Sequence, residues 1–132
     1  MLAQRDAAMA KHPKTTFIGA HFGALATDLP RVGALLDRLP NFFLDTSARI
    51  RDLGRQPYSA RRFFIRYQDR ILFGTDGPPA PSKQRMYYRV FETEDECFQQ
   101  SHGPVHFLYG LNLPDETLKM LYRDNAKRIL KI

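Results

Sequence analysis

The stretch RILFGTDGPP, residues 70–79, drives a run of strand formers into a carboxylate. Ile71, Leu72 and Phe73 favour a strand. Asp76 is followed at once by Gly77, Pro78 and Pro79, which cannot prolong one. Two readings are open. Asp-Gly-Pro is turn chemistry, in which the Asp side chain bonds nearby backbone N–H groups and Gly accepts unusual dihedrals. Alternatively, the strand delivers an acid to a site. A second stretch, FIGAH, ends in the same way on His21. In each, a glycine stands two residues earlier, Gly19 before His21 and Gly74 before Asp76. Strand side chains alternate, so each glycine shares a side with its polar residue and predicts open space beneath it. Between the two, NFFLDTSA offers Asp45 and Ser47, with Arg49 just beyond. A neutral imidazole nitrogen and an anionic oxygen suit zinc or a similar divalent metal, and an Asp can also take a proton from metal-bound water. The plainer alternatives are a satisfied core histidine at 21 and a structural hydrogen bonder at Asp45. His12, before Pro13, reads as a solvent-facing cap. His102 and His106 lie in an irregular stretch without a matching Cys or acid.

These residues need elements to hold them. Residues 2–11 read as a helix stopped by Pro13. A strand is expected near 16–21. A helix over 28–39 follows, with Asp28 as cap, Pro30 in its first turn and Leu29, Val32, Leu36 and Leu39 at helical spacing. A second strand is expected near 42–46. A second helix, 59–69, has Ala60, Phe63, Phe64 and Tyr67 on one face and Arg62, Arg66 and Arg70 on the other, wet face. A third strand is expected near 71–75. Strand–helix alternation at this spacing predicts a parallel sheet covered by helices, and the near-continuous apolar runs predict strands buried on both faces. In such folds chemistry collects at the carboxyl ends of the strands. After Asp76 the rhythm changes. GPPAPSKQR reads as a loop, YYRVFETEDECFQQ as a strand followed by a helix, and SHGPVHFLYGLNL as irregular. A closing helix is expected at about 114–130, with Leu118, Leu121, Tyr122, Ala126, Ile129 and Leu130 as its apolar stripe.

The 132 residues are 43% hydrophobic and 26% charged, which suits one compact domain with a real core. No apolar run approaches the roughly 20 residues that span a bilayer. Cys97 is the only cysteine, so no internal disulfide forms, and a cytoplasmic location is expected. The net charge of +6 is concentrated at Arg49, Arg51, Arg55, Arg61, Arg62, Arg66 and Arg70. A basic nucleic-acid-binding module is therefore the rival class. The aromatics beside those arginines fall on the apolar helix face, however, rather than free to stack on bases. Motifs of a phosphate-binding loop, a dinucleotide site or a nucleophile elbow are absent.

HPKTTFIGAHFG, PNFFLDTSAR, RILFGTD and LPDETLKMLYRDNAKRIL, in that order, resemble the C-terminal half of the amidohydrolase-related metal-dependent hydrolases of the amidohydrolase superfamily. The resemblance spans nearly the whole chain, and FGTD and YRDNAKRIL are its most specific parts. It implies an α/β fold, the C-terminal part of a TIM (β/α)8 barrel, in which residues 1–132 form one partial domain. That domain would hold about three parallel strands, numbers six to eight, with covering helices. It implies that His21 matches the strand-six histidine, a metal ligand in some members and a catalytic aid in others. Asp76 matches the strand-eight aspartate, a metal ligand that orients or deprotonates the attacking water. His21 and Asp76 are thus the catalytic and metal candidates, with Arg49, Ser47 and Asp45 as substrate-binding candidates. The activity implied is hydrolysis of a small molecule by metal-activated water, zinc being the metal expected. The alternative within the family is nonoxidative decarboxylation. The family's His-x-His of strand one and its strand-five histidine or lysine are absent, and a whole barrel needs roughly 250 residues. The expectation is a fragment, inactive alone, whose remaining ligands lie in an N-terminal half. Expected partners are a substrate and that half or a second copy, with neither nucleic acid nor membrane.

Overall fold

The computed structural model describes residues 2–78, 80–100 and 106–132. Three short parallel strands, β1 (Phe17–Gly19), β2 (Phe42–Asp45) and β3 (Ile71–Leu72), form a sheet in the order β1-β2-β3. Phe17 lies opposite Phe42, and Leu44 opposite Ile71. The expected α/β alternation is present: helices Leu29–Arg38 and Pro57–Arg66 connect the strands, and Leu2–Lys11 precedes them. Three parallel strands with helices are compatible with part of a barrel.

The connecting helices form for the reasons their sequences give. The Asp28 carboxylate accepts from Arg31 N–H at 3.2 Å, satisfying a donor that the first turn leaves orphaned. Leu29, Val32, Leu35 and Leu36 then repeat on the buried face. In Pro57–Arg66 the buried residues are Ala60, Phe63 and Phe64. Both phenyl rings tilt against Phe22, at centroid distances of 5.5 and 5.8 Å. Phe22, Phe42, Leu44 and Phe64 are almost fully buried, and each large apolar side chain so placed contributes about 1.5–3 kcal/mol.

Four expectations need correction. Arg70 does not face water: its guanidinium donates to the carbonyls of Leu36, Leu39 and Phe42 and lies 4.9 Å from the Phe43 ring centroid. It ties the helix end to the start of β2. The segment after Asp76 runs helix then strand, not strand then helix: Pro81–Glu92 is helical, and Phe98–Gln99 (β4) pairs antiparallel with Phe107–Leu108 (β5). The prolines at 78, 79 and 81 suggest a loop, but Pro81 sits at the start of the helix, where a missing N–H costs nothing. The stretch read as irregular therefore holds a strand. His102 lies outside the described residues.

The closing helix is also interrupted. It runs as Asp115–Lys119, a π turn at Met120–Asp124, and Asn125–Leu130. In the π turn Asn125 N–H bonds Met120 O instead of Leu121 O. The released Leu121 carbonyl accepts from Phe73 N–H at 3.1 Å, just past β3. The buried positions are Thr117, Leu121 and Asn125, whereas Leu130 is exposed, so the apolar stripe is shorter than its spacing suggests.

Candidate active site

His21 and Asp76 follow β1 and β3, which run parallel, so both come after the carboxyl ends of their strands. Neither is in a strand. β1 stops at Gly19, and the chain then passes through a left-handed turn, with φ of 57° at His21, 58° at Phe22, 64° at Gly23 and 60° at Ala24. L-residues enter this region at a cost of about 1–2 kcal/mol each, so neighbours must hold the turn in place. Phe22 anchors it in the core. Arg5, paired with Asp6, donates to Gly23 O at 2.6 Å. The turn also breaks the side-chain alternation that placed His21 above Gly19.

The glycines do not leave open space either. A Cβ on Gly19 would lie 2.6 Å from the Phe42 ring, and one on Gly74 would lie 2.6 Å from Ser47 Oγ. Each is glycine because a neighbouring side chain already fills that volume.

Around His21 the chain forms a connected hydrogen-bond set. One carboxylate oxygen of Asp45 accepts from His21 N–H and from Ser47 N–H, both at 3.0 Å. His21 Nδ1 lies 3.0 Å from Ser47 O. A carbonyl only accepts, so in the neutral ring Nδ1 carries the proton and Nε2 keeps its lone pair. Arg49 Nε donates to His21 O at 3.3 Å, and its guanidinium pairs with Asp52 at 3.6 Å. His21, Asp45, Ser47 and Arg49 are thus brought together, and Asp45 is the structural hydrogen bonder that the plainer reading expected.

Asp76 stands apart. It is exposed, with φ of 62°, and its carboxylate makes no hydrogen bond or ion pair among the described residues. Its carbonyl accepts from Lys83 Nζ at 2.7 Å. The backbone conformation agrees with the turn reading, while the uncommitted carboxylate is what a ligand-holding role needs.

Sequence reading missed Thr46 and Tyr87. Thr46 is fully buried. Its hydroxyl donates to Gly74 O at 2.8 Å and accepts from Gly74 N–H at 3.0 Å, standing in for the ladder where the strands have ended. Tyr87, in the Pro81–Glu92 helix, donates to Thr75 O at 3.4 Å. Burial, and then the charges of Asp76 and Asp45, push its phenol up to about 12, against the pull of the Ala48 main chain and Arg49. Thr46 was legible only as the polar last residue of the strand expected near 42–46, and Tyr87 fell in a stretch read as a strand followed by a helix; its helical spacing to Val90 and Phe91 is the signal that could have found it.

The donor types fit a divalent metal in part. His21 offers Nε2 with its other nitrogen held by a carbonyl, the usual support of a metal-ligating histidine, and Asp76 offers a free carboxylate. Among the described residues, however, no three of His, Cys, Asp and Glu form a group that could hold a metal ion. A groove of about 620 Å³ beside Tyr58, Arg61, Glu94 and Tyr109 includes none of the candidate residues. No helix among the described residues is long and apolar enough to cross a membrane.

A protein-family model described as "Amidohydrolase" matches residues 1–132. No curated protein and no solved structure matches the chain.

Proposed function

Since the chain belongs to the amidohydrolase family, whose members are metal-dependent hydrolases or related lyases, we propose that it is part of a hydrolase that acts on a small molecule with a metal-activated water. On this reading residues 1–132 are strands six to eight and the closing helix of a TIM barrel. The observation that carries the reading is the His21 ring: Nδ1 is held by Ser47 O, which leaves Nε2 as a ligating atom beyond the strand ends. His21 and Asp76 would hold the metal, zinc being the best match to a nitrogen and oxygen donor set. When bound, such a metal polarises a carbonyl and lowers the pKa of its water.

The remaining roles belong to the chain. Asp45 fixes the His21 and Ser47 backbones through two N–H bonds. Ser47 sets the imidazole tautomer. Arg49 is half-exposed, and its guanidinium is the natural partner for a substrate carboxylate, with Ser47 and Asp45 beside it. Two ligands are too few for a closed site, so completion comes from the other half of the barrel or from a second copy. With a single free thiol, Cys97, the reducing cytoplasm is the compartment proposed.

The arginine cluster supports this reading over nucleic-acid binding. Arg61 donates to Leu111 O, Arg66 pairs with Asp37, and Arg70 is spent on main-chain carbonyls. Calorimetric titration of the chain with Zn²⁺ tests the proposal. We expect weak binding that falls about tenfold or more in Asp76→Asn and in His21→Gln. Equal binding by wild type and both variants would overturn the assignment.

A further inference from the structure

The left-handed turn that carries His21 has three L-residues, His21, Phe22 and Ala24, at positive φ. Left to itself such a turn relaxes, because each of them has a better conformation available. Side chains from outside the turn bond it at both ends. At its start, Asp45 accepts from His21 N–H and Arg49 Nε donates to His21 O. At its far end, Gly23 O accepts from Arg5 Nη1 at 2.6 Å. Arg5 comes from the helix Leu2–Lys11, and its guanidinium is fixed in turn: Nε and Nη2 both donate to Asp6 Oδ1, at 3.0 and 2.8 Å. The same guanidinium lies 5.6 Å from the Phe42 ring centroid. That ring fills the space beside Gly19 and Gly23, where added Cβ atoms would approach it to 2.6 and 3.2 Å. Phe42 therefore backs the turn while Arg5 grips its last carbonyl. The helix does not need Arg5 to be seated, since Met9 is buried and Asn41 donates to Met9 O and His12 O at its end.

We propose that Arg5 is a positioning residue: by holding Gly23 O it keeps the turn after β1 left-handed and so keeps the His21 ring where it can bind a metal. The hold itself rests on geometry. Its purpose rests on the assignment of His21 as a metal ligand. Three donors of one planar group act together here, two on Asp6 and one on the turn, which a flexible ammonium reproduces only in part. When a binding-competent conformation is only fractionally populated, the apparent affinity falls by that fraction. Releasing the turn therefore weakens metal binding without removing a ligand. A residue that merely seated the helix on the sheet would change stability and leave the dihedrals at Phe22 and Ala24 as they are.

Arg5→Met separates these possibilities, because it keeps an apolar stem and removes every donor. By NMR, the three-bond couplings that report φ at Phe22 and Ala24 should lose their left-handed values in most molecules, while amide exchange at Leu44 in β2 is unchanged. Zn²⁺ affinity should fall by the same factor as the left-handed population, about tenfold. Arg5→Lys, which keeps one donor, should recover part of both. Arg38→Met should change neither, since Arg38 is exposed and reaches Asp6 but not the turn. In the wild-type chain the Arg5 guanidinium should rotate more slowly than that of Arg38, a measurement that needs no variant to fold. Left-handed couplings that persist in Arg5→Met, or an Arg5 guanidinium as free as that of Arg38, would overturn the hold. If wild type fails to bind Zn²⁺ while the couplings shift, the hold stands and the metal assignment falls. If Zn²⁺ binds and the couplings shift with no change in affinity, the purpose given to the hold is overturned.

Discussion

Asp45 concentrates two main-chain donors on one oxygen, both at 3.0 Å. Hydrogen bonds to a charged group are worth about 1.5–3 kcal/mol each. Asp45→Ala should therefore lower stability by about 3 kcal/mol in urea unfolding, and a loss under about 0.5 kcal/mol would show that the pair is ornamental. The tyrosines make a second residue-scale prediction. Tyr87 is raised to about 12, and Tyr122 is raised by burial and by its hydrogen bond to Glu92. A phenol raised in the fold above its unfolded value of about 10 favours folding while it is neutral. That contribution is whole below about pH 10 and disappears as pH rises through the folded value. The melting temperature should fall steeply above about pH 10, and less steeply in Tyr122→Phe. Parallel curves for the two proteins would refute the linkage. At this scale the sequence was only partly legible. His21, Asp45, Ser47 and Arg49 lie close together in the chain's pattern and do meet in space. Thr46 and Tyr87 were hidden because their roles depend on what the ends of other strands leave unpaired, which no local pattern records.

Elements with strong periodicity were legible. The apolar repeat and cap of Leu29–Arg38, the aromatic face of Pro57–Arg66 and the apolar runs of β1 and β2 each point to a single structure. The errors lie where a local signal is ambiguous. Proline begins helices as readily as it ends strands, which hid Pro81–Glu92. The π turn in the closing helix has no sequence signature, because it exists to free Leu121 O for Phe73 N–H. Asn125 completes that join, donating through Nδ2 to Gln68 O at 2.6 Å and Ile71 O at 2.8 Å. Asn125→Ala would leave two acceptors without their donor, one of them in a buried bond. We expect a loss of about 2–4 kcal/mol by chemical denaturation, against less than about 0.5 kcal/mol for the exposed Lys127→Ala. Similar losses for the two would show that the join is not held by Asn125.

For the molecule as a whole, β1 is an end strand of the sheet and Ile18 at its centre is 41% exposed. An uncovered apolar edge is a template for pairing with another chain. Sedimentation should therefore reveal association that grows with concentration, and Ile18→Lys should suppress it, since a charge on an edge strand discourages pairing. A wild type that stays monomeric throughout, or a variant that associates equally, would contradict this. The same edge is where a completed barrel would continue, so the proposal of a second half and the predicted self-association draw on one surface.

The turn that presents His21 has a consequence that reaches beyond ordinary mutagenesis. Ala24 sits at φ of 60° and ψ of 25°, a shape whose mirror image is the common helical one. The disfavour there arises from the handedness of the building block, not from its size or polarity. Ala24→Gly removes part of it but loosens the unfolded chain. A chain assembled by chemical ligation with D-alanine at position 24 would remove it without that loss. The enantiomer, not any of the genetically encoded residues, is the best-fitted occupant of this position, and the protein containing it should melt at a higher temperature than the natural one.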